Sequence, residues 1–136
     1  MNQFLERIIQ RAGEDKKTIV LPESTDIRTI EAASLILKKG FANIVLVGDE
    51  DKINDLKGDL DISGAEIVNP LTSDKADDYI NTFYELRKKK GITVEQARET
   101  MKNPLYWGVM MVKKGHADGM VAGAINSTAN TLRPAL

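Results

Sequence analysis

Residues 18–47 read TIVLPESTDIRTIEAASLILKKGFANIVLV, and this stretch predicts a strand, a helix and a second strand in succession. Residues 18–21 and 43–47 form short apolar runs rich in β-branched side chains, which is typical of strands buried on both faces. Pro22 ends the first run, and Gly48 follows the second. Two such runs separated by a helix indicate a parallel β-α-β unit.

The helix of this unit has recognisable signals at both ends. Thr25 or Asp26 is a suitable N-terminal cap, and Gly40 after two lysines is a typical C-terminal stop. We expect the buried side of the helix to carry Ile27, Ile30, Ala32, Ala33 and Leu37.

The alternation of strands and helices continues on both sides of this unit. Its repetition argues for an α/β fold in which helices flank a mainly parallel sheet. The predicted elements are an amphipathic helix at 2–13, strands at 66–68 and 119–122, helices at 49–56, 74–90, 93–102 and 104–114, and a helix starting near residue 132.

Two local patterns support the later helices. Thr93 and Gln96 have the spacing of a capping box, and Asn103 followed by Pro104 is a second helix start. The buried side of the helix at 74–90 is expected to carry Ala76, Ile80, Phe83, Tyr84 and Leu86.

The composition narrows the class of protein. The chain has 136 residues, no cysteine and a net charge of −1, which fits one domain in a reducing cytoplasm. No apolar run approaches the roughly 20 residues needed to cross a bilayer, and the N-terminus lacks the pattern of a signal peptide. We therefore expect a cytoplasmic protein that binds neither nucleic acid nor membranes.

Two corners of the chain are candidate ligand sites, because parallel sheets bind ligands beyond the carboxyl ends of their strands. The first corner is residues 21–28, which ends in Arg28. The second is residues 123–133, a loop rich in small and hydroxyl side chains that includes Ser127 and Thr128 and ends in Arg133.

Both corners also have a purely structural interpretation, which for the second corner is a flexible loop, although its residue types favour ligand binding. Ser24, Thr25 and Asp26 are common helix caps, and a surface salt bridge would suit Arg28 as well as a substrate phosphate does. Arg87 falls where a cation at a helix end interacts favourably with the helix dipole. The residue pattern by itself leaves these alternatives open.

Other chemistry-bearing side chains are sparse. His116 is the only histidine and is predicted to lie in a turn at the end of the sheet opposite the ligand face, so we expect no catalytic role for it. Trp107, Met110 and Met111 have the spacing of core or interface residues. The sequence contains no Walker lysine loop, no zinc-ligand spacing and no basis for a Ser-His-Asp triad.

Several segments of this sequence resemble the corresponding segments of the phosphate acetyltransferase family. The resemblance spans the whole chain and includes the opening helix with Phe4 and Leu5. The other matching segments are Ile19–Arg28, Ile44–Gly48, Tyr84–Arg87, Val109–Met111, Gly123 and Thr131–Ala135.

This resemblance implies a two-domain subunit, related in fold to the isocitrate and isopropylmalate dehydrogenases, that works as a homodimer with its active site between the domains. Residues 1–136 would then be the N-terminal α/β domain, without the second domain. The implied reaction is reversible transfer of an acetyl group between acetyl phosphate and coenzyme A, a step of acetate metabolism. Coenzyme A is a substrate in this reaction, and neither a tightly bound cofactor nor a metal is implied.

The family's aspartate base and serine donor come from its C-terminal part, so no catalytic residue is expected within this chain and the chain alone is expected to be inactive. Arg87 and Arg133 match family arginines implicated in substrate binding. The guanidinium group of arginine is suited to this role because it can donate two parallel hydrogen bonds to a phosphate. Arg28, Ser127 and Thr128 are assigned to the same cleft. We expect these arginines to gather at one rim of the sheet.

Three alternatives compete with this interpretation. The acyl group could be butyryl instead of acetyl. A phosphate-responsive receiver-like module would need an aspartate closing a middle strand, where this sequence has Gly48 and Asn69. A short interaction or assembly partner is a third possibility, against which the predicted helix that breaks off within its first turn argues.

Overall fold

The computed structural model describes residues 3, 7, 10 and 13–123. The strands are β1 (Lys17–Leu21), β2 (Ala42–Val47), β3 (Glu66–Val68) and β4 (Gly119–Met120). The helices after residue 13 are α1 (Ile27–Lys39), α2 (Glu50–Lys57), α3 (Ala76–Arg87), α4 (Val94–Met101) and α5 (Pro104–Lys113), with a 3-10 turn at Lys88–Lys90.

The predicted N-terminal helix is described only in part. Gln3, Arg7 and Gln10 are helical and exposed. The apolar side chains of its expected buried stripe, Phe4, Leu5, Ile8, Ile9 and Ala12, lie outside the described residues.

The sheet has the order β3-β2-β1-β4, and all its strand pairs are parallel. β1 occupies an inner position, where Ile19 pairs with Ile44 of β2 and Val20 pairs with Met120 of β4. The parallel sheet predicted from the sequence is therefore confirmed. All strands point the same way, so their carboxyl ends lie along one edge.

Both faces of the sheet are covered by helices, as the apolar strand runs predicted. Leu46 points toward α1 and α2, where Ile30 and Ile53 complete a buried cluster. Its neighbour Val45 points to the other face, into a cluster built largely by α3, α4 and α5. Side chains alternate between faces along a strand, so a continuous apolar run is required to fill both cores.

The caps of α1 are confirmed, but its buried side was predicted only in part. Asp26 accepts a hydrogen bond from the backbone N–H of Arg28, and Gly40 ends the helix in the left-handed conformation. Ile30 and Ala33 are buried, and Leu37 packs against the same cluster.

The prediction was wrong for two residues of α1, Ile27 and Ala32, which are exposed. Ala32 lies two positions from Ile30, about 200° around the helix, and therefore faces away from the sheet. Ile27 is the first residue of the helix, at the end of the buried stripe.

The pair of helices between α3 and β4 is confirmed in detail. Thr93 and Gln96 form both bonds of the capping box, and Pro104 starts α5 after the cap Asn103. Trp107 and Met110 are buried in the core. Of the two interpretations that the sequence left open for these residues, core packing and interface packing, their burial favours core packing.

Two element ends differ from the prediction. The helix expected at 74–90 ends at Arg87 and continues as the 3-10 turn, and its residue Leu86 is 51% exposed instead of buried. Tyr79, which we did not predict, is buried on that helix. β4 is shorter than the predicted strand, and Val121 beyond it is 61% exposed.

Within the described residues, no helix combines the length and the apolar character that crossing a membrane requires.

A pair of leucines tests the two-sided core. Leu46 is fully buried in β2, and Leu35 on α1 is 54% exposed. Leu46→Ala is expected to lower the free energy of unfolding by about 2–5 kcal/mol, because it leaves a cavity between sheet and helix. Leu35→Ala removes the same atoms from the surface and is expected to change it by less than about 0.5 kcal/mol. Urea unfolding of both variants measures the difference, and equal losses would contradict this assignment of the core.

Candidate functional site

A cavity of about 580 Å³ opens at the carboxyl edge of the sheet. Four parts of the chain line it: the corner after β1, the turn after β2, helix α2, and the start of α5 with its cap Asn103. The lining residues are Pro22, Glu23, Ser24, Thr25, Val47, Gly48, Asp49, Lys52, Ile53, Leu56, Asn103, Pro104 and Leu105. The first predicted ligand corner therefore contributes one wall of this cavity.

The corner after β1 is fastened to the end of β2 by Ser24. Its hydroxyl is buried and donates a hydrogen bond of 2.6 Å to the carbonyl oxygen of Val47. Ser24 is therefore not the helix cap that the sequence also allowed, since Asp26 has that role. This bond holds the two lining segments together.

Gly48 makes that close approach possible. A side-chain Cβ at Gly48 would collide with the Ser24 hydroxyl oxygen, which is held in place by its bond to Val47. The backbone N–H of Gly48 also donates to the carbonyl oxygen of Val68, so the turn is tied to β3 as well. The next residue, Asp49, caps α2 by accepting from the N–H of Lys52.

Arg28, the last residue of the first corner, forms an ion pair with Asp26. Its Nη2 lies 2.6 Å from one carboxylate oxygen of Asp26, and its Nε lies 3.0 Å from the other. The hydrogen bonds from Arg28 hold the pKa of Asp26 below its ordinary value, and the carboxylate raises the pKa of Arg28. The salt bridge that the sequence left open is therefore present, with the guanidinium side chain still 67% exposed.

The second predicted corner begins beside the first. The backbone N–H of Val121 donates to Val20 of β1, and the N–H of Gly123 donates to a carboxylate oxygen of Glu23 at 2.6 Å. The remaining residues of this corner, including Ser127, Thr128 and Arg133, lie outside the described residues. Their assignment to the site stays a prediction.

Arg87 ends α3 and lies over the ring of Phe83, with its guanidinium carbon 5.0 Å from the ring centre. The Phe83 ring in turn meets the ring of Tyr106 edge-on at 5.8 Å. Tyr106 belongs to the first turn of α5, whose neighbouring residues Pro104 and Leu105 line the cavity. These contacts place Arg87 toward the cavity end of α5.

The other end of α5 carries the single histidine. Lys114, just after α5, forms a salt bridge of 3.1 Å with Asp78 near the start of α3. The Nδ1 atom of His116 is 2.5 Å from the hydroxyl of Tyr79, and burial raises the pKa of that tyrosine to about 12. α3 and α5 therefore run in opposite directions, and His116 lies away from the cavity, as predicted.

Glu23 is the site residue that sequence reasoning missed. It is 5% exposed, and its partner Gly123 is 100 residues away in the chain. The available signal was a carboxylate placed directly after a buried strand and Pro22, but the sequence does not show which backbone group it meets.

Over the described part of the chain, no cluster of three or more acidic, histidine or cysteine side chains could hold a metal ion.

The sequence matches the phosphate acetyl/butaryl transferase family over residues 3–136. The chain belongs to this family. Phosphate acetyltransferases of Acetivibrio thermocellus and Thermoanaerobacterium thermosaccharolyticum are 68% and 54% identical to it, over 98% and 97% of the chain. It spans 40% of the length of each of these two relatives.

Solved phosphotransacetylase structures share the fold of this family member. One from Streptococcus pyogenes superposes with a TM-score of 0.85 at 34% identity, and one from Staphylococcus aureus with 0.83 at 38%. The match with the Streptococcus pyogenes structure covers 100% of this chain and 42% of that one. The match with the Staphylococcus aureus structure covers 96% of this chain and 41% of that one. The fold is therefore that of the first part of a phosphotransacetylase subunit.

A double-mutant cycle tests the contact between Ser24 and Gly48. Gly48→Ala is expected to cost about 1–3 kcal/mol of unfolding free energy, because the new methyl group displaces the Ser24 hydroxyl from Val47. Adding Ser24→Ala removes the obstructing oxygen. The double variant is therefore expected to lose less unfolding free energy than the sum of the losses in the two single variants. Strictly additive losses in urea unfolding would show that the two residues do not collide.

The ion pair at the first corner predicts a pH effect. The folded-state pKa of Asp26 is lowered from its ordinary value of 3.8, so its stabilising contribution is present above that pH and is lost as the pH falls further. Asp26→Asn keeps a good helix cap and removes the charge. The stability advantage of the natural chain over this variant is expected to shrink below about pH 4 in urea unfolding series. A constant difference from pH 7 to pH 3 would contradict it.

Proposed function

We propose that the whole protein to which this chain belongs is a phosphate acetyltransferase, which reversibly converts acetyl phosphate and coenzyme A to acetyl-CoA and phosphate. The observation that carries the proposal is the 68% identity to a phosphate acetyltransferase over 98% of this chain. Because the chain spans 40% of that relative, the activity is assigned to the whole protein. We further propose that it is a cytoplasmic homodimer acting in acetate metabolism.

In this reaction the thiol of coenzyme A loses its proton and its sulfur attacks the carbonyl carbon of acetyl phosphate. The tetrahedral intermediate then breaks its bond to the phosphate oxygen, leaving acetyl-CoA and free phosphate. The base that accepts the thiol proton is supplied from outside residues 1–136, as the family resemblance implies. Thiol activation of this kind contributes about 10² to 10⁴ in rate.

The role proposed for this chain is to bind the negative charge of the substrates. Arg87 and Arg133 are the proposed phosphate ligands, because a guanidinium can donate two parallel hydrogen bonds to phosphate oxygens. The contacts of Arg87 through Phe83 and Tyr106 toward the cavity end of α5 support this assignment. Arg28, three residues after the cavity-lining Thr25, is proposed as a further cation for the same substrate charge.

Ser127 and Thr128 are proposed as neutral hydrogen-bond donors near the same anion. Their hydroxyl groups follow Gly123, whose N–H is held at the carboxyl edge of the sheet. Gly123 itself lies at the edge where parallel sheets bind their ligands.

The family description also covers butyryl transfer, so phosphate butyryltransferase is the second candidate. The acetyl group is favoured because the relatives at 68% and 54% identity are both named phosphate acetyltransferases. Comparing kcat/KM for acetyl phosphate and butyryl phosphate in the whole protein decides between them. A higher value for butyryl phosphate would replace the proposed substrate.

The proposal predicts that the whole protein forms acetyl-CoA from acetyl phosphate and coenzyme A, whereas the 136-residue chain alone does not. Formation of the thioester, followed by its ultraviolet absorbance, measures both. Absence of turnover by the whole protein would refute the proposed function, and turnover by the isolated chain would refute the placement of the base outside it.

In the same assay, Arg87→Ala and Arg133→Ala are each expected to raise the KM of one substrate about 10- to 100-fold, because hydrogen bonds to charged groups are worth about 1.5–3 kcal/mol. Arg98→Ala is the matched control, since Arg98 is an exposed helix residue paired with Glu95. We expect its KM values to equal those of the natural protein. An unchanged KM in either of the first two variants would remove that arginine from the site.

A further inference from the structure

The two corners at the carboxyl edge are joined by a partly buried hydrogen bond, whose acceptor residue Glu23 is buried. Val20 of β1 pairs with Met120 of β4, and Glu23 and Gly123 each lie three residues beyond this pair. The carboxylate oxygen Oε1 of Glu23 accepts the backbone N–H of Gly123 at 2.6 Å. The bond therefore continues the connection between these neighbouring strands past the point where their ladder ends.

The surroundings of Glu23 make this bond strong. Its side chain is almost completely buried, and an ionised carboxylate is costly to bury unless it is hydrogen-bonded or paired. Hydrogen bonds to a charged acceptor are about twice as strong as those between neutral groups. The negative charge of Glu23 also helps to raise the pKa of Arg28, so a cation lies close enough to interact with it.

Gly123 has a backbone conformation that favours glycine. Its φ angle is +123°, in a region that side chains other than glycine rarely adopt, and no atom lies within 4 Å of the position that a Cβ would take. Glycine is therefore required here by the direction of the backbone and not by lack of space. Residues 124–136, which include Ser127, Thr128 and Arg133, continue from this point.

We propose that Glu23 is a positioning residue for substrate binding, which holds the Gly123 amide and thereby sets the place from which the segment bearing Arg133 departs. The proposal rests on the proposed function of that segment. Glu23 lines the cavity, and the role proposed for it is exerted through the backbone of Gly123 and not as a ligand of the substrate. Fixing the Gly123 amide before the substrate binds lowers the conformational entropy that binding must overcome.

Two conservative variants separate the hydrogen bond from the charge. Glu23→Gln keeps the side-chain length and an acceptor oxygen but removes the charge. Glu23→Asp keeps the charge but is one carbon too short to reach the Gly123 N–H in the same backbone arrangement. Both changes are small, so both variants of the whole protein are expected to fold.

The steady-state rate of acetyl-CoA formation by the whole protein is the first measurement. Glu23→Asp is expected to raise about tenfold the KM of the same substrate whose KM rises in Arg133→Ala, with kcat within about threefold of the natural value. Glu23→Gln is expected to keep that KM within about threefold. Glu31→Ala, a change of an exposed glutamate on α1, is the control and is expected to leave both parameters unchanged.

Amide hydrogen exchange is the second measurement, and it does not depend on activity. Exchange in short peptides containing Gly123, measured by mass spectrometry, is expected to accelerate at least tenfold in Glu23→Asp and to stay near the natural rate in Glu23→Gln. If the whole protein shows no acetyl transfer, this measurement still tests the hydrogen bond, so failure of the proposed function and failure of this inference are distinguishable.

Three outcomes would overturn the inference. A larger KM effect in Glu23→Gln than in Glu23→Asp would mean that the charge matters and the hydrogen bond does not. Equal KM effects in both variants, or no effect in either, would show that the Gly123 contact does not govern binding. A fall in kcat at constant KM would assign Glu23 to the chemical step instead.

Discussion

The inner position of β1 organises the whole structure. This strand pairs in parallel with β2 on one side and with β4 on the other, although β4 follows it by about 100 residues in the chain. Parallel strands need crossover connections, and here these connections supply the helices that cover both faces of the sheet. Their carboxyl ends are thereby brought to one edge, and the cavity lies there.

At that edge, three polar side chains form hydrogen bonds with other groups of the protein. Ser24 donates to Val47, Glu23 accepts from Gly123, and Asp26 holds Arg28. Each bond connects a different pair of segments or orients a charged group at this edge. Such preorganisation reduces the conformational entropy that ligand binding must overcome.

Much of the fold and part of the candidate site could be predicted from the sequence, because strand runs and helix caps are local. The capping box at Thr93 and the start at Pro104 were confirmed residue by residue. The errors at Ala32 and Leu86 arose because an apolar residue on a helix is assigned to the core without knowing which side the sheet occupies. The contacts of Glu23 with Gly123 and of Phe83 with Tyr106 depend on distant partners and could not be read from the neighbouring sequence.

The sequence by itself determined the alternating strands and helices, the parallel sheet and the family resemblance, since short-range patterns and residue strings encode all three. Only the tertiary structure decided which groups meet at the carboxyl edge: Glu23 with the Gly123 amide, Ser24 with β2, and the Phe83 ring under Arg87 with Tyr106 of α5. The physical reason is that hydrogen bonds and ring contacts depend on distances in space, and the parallel crossovers bring together residues that are up to 100 positions apart.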